Sequence, residues 1–126
     1  MLNIPKQIEY WVKTAEEDFE VGSNLIKINK TRHGLFFIHL AVEKMLKACV
    51  CKHQNKTPPK IHNLLSLADR AGIKLNDEQR NLLTEINQFN LEGRYPLDFV
   101  TALDKNSAIK LMNKVQEAYE CFRRIL

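Results

Sequence analysis

Glycine and proline are scarce, with four of each in 126 residues. A chain built from many strands and tight turns would need more of both, so the scarcity points to long, uninterrupted helices. Cysteine is sparse too: Cys49, Cys51 and Cys121 make an odd number, and no CxxC pair exists. A disulfide framework and a zinc site are therefore not expected, and reduced thiols in a cytoplasmic protein are. No run approaches the ~18 apolar residues of a membrane span, and the opening MLNIPKQIEYW lacks the apolar centre of a secretion signal. The sequence also has no Gly-rich phosphate loop, carboxylate cluster or His/Cys set, so we expect neither a metal nor a cofactor.

What is present suits one domain spanning residues 1–126. Hydrophobic residues make up 44%, enough for a real core, and charged residues 27%, enough to solvate the rest. The net charge of +4 permits an acidic or phosphate-bearing partner without demanding one. Its distribution says more. Residues 31–60 carry Arg32, Lys44, Lys47, Lys52, Lys56 and Lys60 against Glu43 alone, whereas residues 61–103 hold four basic side chains against six acidic ones. The surface is polarised, with the second helix and its following loop the more anion-facing part, or simply a solvated basic face.

Apolar residues recur at spacings of three and four from Ile8 through Trp11, Ala15, Phe19 and Gly22 to Ile26, predicting a helix over about 5–28. The segment 29–34 breaks it. A second helix over about 35–52 is apolar around almost its whole circumference, as expected of a helix buried centrally or covered by another chain. A short third helix over about 62–71 ends at Gly72, and a fourth over about 77–91 follows a capping Asn76. The loop 92–98 precedes a fifth helix over about 104–126. Four long helices and one short one, joined mostly by short loops, predict an all-α fold: an antiparallel up-and-down bundle.

Helical phase singles out polar residues in apolar places. With about 3.6 residues per turn, Asp18 falls inside the stripe of Trp11, Ala15, Gly22 and Leu25. A carboxylate there must be paired or neutralised. On the second helix Arg32, His39, Glu43 and Lys47 share one strip. One reading is structural: Asp18 meets Lys47 or Arg94, Glu43 and Lys47 pair at i,i+4, His62 anchors the third helix, and Trp11 is a core anchor. The other reading is a groove that binds a phosphate, a nucleotide or an RNA backbone. Arg94 suits bidentate recognition of phosphate and lies in a loop. Tyr95 precedes Pro96 and so favours extended backbone that presents its ring.

Together these segments resemble the HEPN family of small helical domains, named for higher eukaryotes and prokaryotes nucleotide-binding. The matching pieces are Trp11-x3-Ala15-x2-Asp18, the AVEKMLKA segment from Ala41 to Ala48 with His39 before it, the IHNLLSL segment with His62, and Arg94-Tyr95-Pro96. The resemblance implies a bundle of four or five helices that dimerises. It also implies pairing with a small nucleotidyltransferase, in toxin–antitoxin-like systems. Some branches of the family are metal-independent ribonucleases marked by Arg, four to six residues, then His near a late helix. Here YPLDFVTALDK follows Arg94 and holds no histidine. Arg32 and His39 keep the spacing but on the second helix, where a match by chance is common.

The expected function is thus binding rather than catalysis, with no catalytic residue assigned. We expect a homodimeric module that works with a nucleotidyltransferase and places Asp18, His39, Glu43, Lys47, His62, Arg94 and Tyr95 around a nucleotide- or RNA-facing groove. The alternatives are a ribonuclease with a divergent Arg/His site and a ligand-free dimerisation domain.

Overall fold

The structure is a computed structural model describing residues 3–90 and 103–126. Among the described residues there are five helices and no strand. They are α1 (Ile4–Lys27), α2 (Thr31–Gln54), α3 (Leu64–Arg70), α4 (Asp77–Asn87) and α5 (Lys105–Ile125). The all-α expectation holds.

Each start and stop has a local cause. Asn3 caps α1 by accepting the Lys6 N–H, and Pro5 occupies the first turn, where its missing N–H costs nothing. At the far end Asn29 takes φ +68°, letting the Lys30 N–H return to the Leu25 carbonyl at 2.8 Å. The chain reverses in three residues, so α2 begins at Thr31, a turn earlier than its apolar pattern suggests. Gly34 thus lies inside α2 and is no breaker. It meets Gly22 of α1: a Cβ on Gly22 would stand 2.8 Å from the Gly34 carbonyl oxygen. The two glycines let the backbones approach where a side chain would hold them apart.

Helix α2 is the axis of the fold and touches each of the other four helices. From Ala41 to Cys51 every residue but Lys44 is buried. Its all-round apolar character is therefore satisfied within one chain. On the α5 side Cys49 Sγ donates to the Phe122 carbonyl, and Lys52 Nζ donates to the Ile125 carbonyl at 2.8 Å. Helix α5 buries the stripe Ala108, Leu111, Met112, Val115, Ala118, Tyr119 and Phe122, as its periodicity predicts.

Helices α3 and α4 cover the C-terminal part of α2. A capping box of Asn76 and Gln79 starts α4, with Asp77 and Glu78 in its first turn. The helix ends at Asn87, earlier than the expected 91, and is eleven residues long; among the described residues α1, α2 and α5 are the long helices. Helix α3 begins at Leu64 rather than at His62. Asn63 caps it, accepting from the Leu65 and Ser66 N–H groups. It stops where Gly72 turns to φ +71° and the Ile73 N–H reaches back to Ala68.

Candidate functional site

One carboxylate organises the polar residues of α2. Glu43 Oε2 lies 3.0 Å from Lys47 Nζ, one turn on. Glu43 Oε1 lies 3.1 Å from His62 Nδ1 and 4.0 Å from His39 Nδ1. His39, Glu43 and Lys47 are only 1%, 4% and 7% exposed. Of the expected strip Arg32, His39, Glu43 and Lys47, the last three are gathered here, in an interior network rather than an open groove. A buried carboxylate with one strong ion pair and two imidazoles beside it is compensated on both oxygens. The Lys47 ammonium also stands 5.4 Å from the centre of the Trp11 ring. Trp11 is half-buried and caps this lysine, and is not the core anchor expected of it.

The network surfaces through His62, whose side chain is 29% exposed. Two asparagines fix the backbone there. Asn87 Oδ1 of α4 accepts the Leu64 N–H at 3.0 Å, and Asn87 Nδ2 donates to Asn63 Oδ1 at 3.3 Å. The start of α3, and His62 just ahead of it, is thereby tied to α4. A cleft of about 460 Å³ opens here, lined by Lys60, His62, Asn63, Ser66, Asn87 and Asn90. It offers amides, a hydroxyl and one exposed lysine. An asparagine just before an apolar run is a cap signal, which the expected start at His62 passed over, but nothing in the sequence signals the part played by Asn87.

Burial is the main cause that holds the His39 pKa below its ordinary 6.5. The Glu43 charge, the Asn87 side chain and the His62 carbonyl pull the other way. Among the described residues, His39 Nε2 finds no well-formed hydrogen bond. Two histidines and a carboxylate are a familiar ligand set. Here, however, they are turned on one another, with Lys47 on the same carboxylate. Among the described residues no group of His, Cys, Asp and Glu is placed to hold a metal ion.

Asp18 stands apart from this cluster. Its carboxylate pairs with Lys44 at 2.6 Å, where helical phase suggested Lys47 or Arg94; the Arg94 alternative falls outside the described residues. Lys44 lies one position from Glu43, and about 100° of helical rotation sends it to the α1 side while Glu43 turns toward α3. Arg94 and Tyr95 lie outside the described residues. The structure therefore gathers His39, Glu43, Lys47 and His62, and adds Lys60, Asn63 and Asn87.

Comparison with known proteins agrees with the fold. The crystal structure of TT1696 from Thermus thermophilus superposes with a TM-score of 0.78, covering 95% of this chain and 98% of that one at 14% identity. At that identity the likeness concerns the fold alone. No curated protein matches the sequence. None of the described helices is long and apolar enough to cross a membrane. The HEPN domain family matches residues 8–125, nearly the whole chain, and this protein belongs to that family.

Proposed function

We propose that this HEPN domain is a binding module whose nucleotide- or RNA-facing surface is the cleft at His62. The carrying observation is that the buried Glu43 network reaches solvent through His62, whose side chain is 29% exposed, in a cleft of about 460 Å³. That volume suits a small ligand or a single flipped base. Lys60 supplies a positive charge at its wall, and Asn63, Asn87 and Asn90 supply amide groups of the kind that read base edges. The role of the interior network is to hold His62 against α2. Arg94 and Tyr95, four and five residues beyond Asn90 in sequence, are assigned to the same surface on their chemistry. Asp18 is assigned to structural pairing with Lys44.

The finer reading follows the family. The module acts as a cytoplasmic homodimer beside a small nucleotidyltransferase, in a toxin–antitoxin-like system. Calorimetry with ATP, AMP and a short single-stranded RNA, with and without the neighbour-encoded partner, tests the binding reading. Binding that weakens in Lys60→Ala and Asn90→Ala supports it. No heat with any ligand in either setting removes it.

A second reading rests on one distance. A histidine held through Nδ1 by a buried carboxylate at 3.1 Å is the orienter–base arrangement of acid–base catalysis. A metal-free RNA-cleavage assay of wild type beside Arg94→Ala and His62→Ala decides. Cleavage lost in both variants makes the protein a ribonuclease with an unorthodox histidine. No cleavage by any of them leaves the binding module.

A further inference from the structure

The cleft at His62 is lopsided in charge. Its lining holds Lys60 and His62 and, among the described residues, no aspartate or glutamate. The carboxylate that faces the ring, Glu43, lies 3.1 Å from Nδ1 with its side chain only 5% exposed. A ligand in the cleft therefore meets the imidazole rather than the carboxylate. Histidine is also the side chain whose charge ordinarily changes between pH 5 and 8.

The groups around the ring decide where a proton goes. On α2, Glu43 favours an imidazolium at His62, while Lys47, 3.0 Å from the other carboxylate oxygen, opposes it. His39 stands 4.0 Å from the same Oε1, but it is enclosed, and burial disfavours its charged form. Charge on either imidazole works against charge on the other, so the pair shares one proton, and the exposed ring is the one to hold it. Lys60 adds a fixed positive charge to the wall, and Asn63, Ser66, Asn87 and Asn90 complete the polar lining without charge. A proton on His62 thus adds a second cation to the cleft wall, with its counter-charge behind the ring. An anion in the cleft attracts that imidazolium at short range, in a site partly shielded from water.

We infer that the cleft takes up a proton at His62 together with a phosphate group of its ligand, so that a phosphodiester binds more tightly as pH falls while an uncharged nucleoside does not. The inference rests on the binding reading above and adds to it the ligand group and its regulation. The coupling is reciprocal: whatever factor the proton adds to anion affinity, the anion adds to proton affinity.

The test is calorimetry of the full chain at pH 7.5 and 6.0, each in two buffers of different ionisation enthalpy, because the buffer dependence of the heat measures proton uptake. The probes are a three-adenosine RNA without a terminal phosphate, 3′,5′-cyclic AMP and adenosine. The first two carry only diesters, whose charge is constant over this range, whereas a phosphate monoester itself titrates near pH 6. The expected result is diester affinity higher by about fivefold or more at pH 6.0, with proton uptake and no such dependence for adenosine. A response to the RNA alone identifies a backbone as the source of the phosphate, and a response to cyclic AMP alone a mononucleotide. His62→Gln should abolish both the uptake and the pH slope. The same transfer is read in the wild type by NMR, where the imidazolium form of His62 should grow as the diester is added at constant pH. Diester binding without uptake overturns the inference and leaves the binding module standing. Uptake that survives in His62→Gln, or an equal pH slope for adenosine, overturns it as well. No binding of any probe at either pH removes the binding reading and this inference together.

Discussion

Glu43 and His62, nineteen positions apart, meet at 3.1 Å between Oε1 and Nδ1, and the same carboxylate holds Lys47 at 3.0 Å through its other oxygen. One side chain of α2 thus both neutralises an interior lysine and positions the histidine ahead of α3. Removing the carboxylate leaves Lys47 buried without its counter-charge. Glu43→Ala should therefore lower stability by about 3 kcal/mol, in the range for breaking a buried pair. Replacing both charges, as in Glu43→Leu/Lys47→Met, should cost distinctly less than the sum of the single changes, because no orphan charge remains. Urea unfolding of wild type, Glu43→Ala, Glu43→Leu, Lys47→Met and the double variant checks this, and additive losses in the cycle would show the pair to be uncoupled.

Gly22 and Gly34 set the approach of α1 to α2. A Cβ on Gly34 would lie 2.7 Å from the Gly22 carbonyl oxygen and 2.5 Å from Ile26 Cγ1. Backbone is on one side and a buried isoleucine on the other, so neither can yield cheaply. Gly34→Ala should destabilise by about 1–3 kcal/mol, the usual cost of overpacking, despite the better helix propensity of alanine. Gly22→Ala offends the same contact, so the double variant should lose less than the two losses added. Thermal unfolding at one fixed pH measures it. A stabilised Gly34→Ala would mean that the helices cross elsewhere.

These residues also show how far the sequence could be read. Periodicity marked the stripes of α1 and α5 and the buried character of α2, because a period of 3.6 is written directly in residue order. Asn76 was legible as a cap for the same local reason. Gly34 was misread as a breaker, since sequence does not distinguish a glycine that ends a helix from one that lets a second helix come near. Phase placed His39, Glu43 and Lys47 on one strip and paired two of them correctly. It could not say that the strip points inward, nor that His62 closes it. Asp18 was seen to need a partner, but the choice of Lys44 over Lys47 depends on where α1 crosses α2. Asn87 gave no signal at all, because its role is to satisfy a backbone N–H that belongs to another helix.

Burial of His39 gives the fold a pH dependence with a definite sign. The folded protein holds this imidazole neutral, with a pKa below the ordinary 6.5, while the unfolded chain takes up a proton near 6.5. Above that value His39 has no effect on the pH slope. As pH falls below it, the unfolded state binds more protons and stability is lost until the folded pKa is reached. The loss is at most about 1.4 kcal/mol per pH unit from one group. Urea midpoints compared at pH 7.5 and 5.5 should fall for wild type and fall less for His39→Gln. Equal falls would place the titrating group elsewhere.

The three thiols should differ in reactivity by position rather than by type. Cys49 is buried against α5, donates to the Phe122 carbonyl, and has its pKa pushed up to about 12 by burial. At pH 8 it carries almost no thiolate, the reactive form. Cys51 is also buried and shifted upward, but it lies beneath the first turns of α1, its thiol 3.8 Å from the Gln7 amide oxygen. Fraying of that helix end uncovers it, whereas exposing Cys49 requires α5 to leave α2. Cys121 is exposed on α5. A chromogenic disulfide reagent at pH 8 should therefore titrate one thiol at once, a second slowly and the third only with global unfolding. In 6 M urea all three should react together. Shortening α1 from its N-terminus should speed the second phase and leave the third unchanged, which separates local opening of α1 from loosening of the whole bundle. Fast reaction of two thiols in the intact native protein would show that α1 does not cover Cys51 in solution.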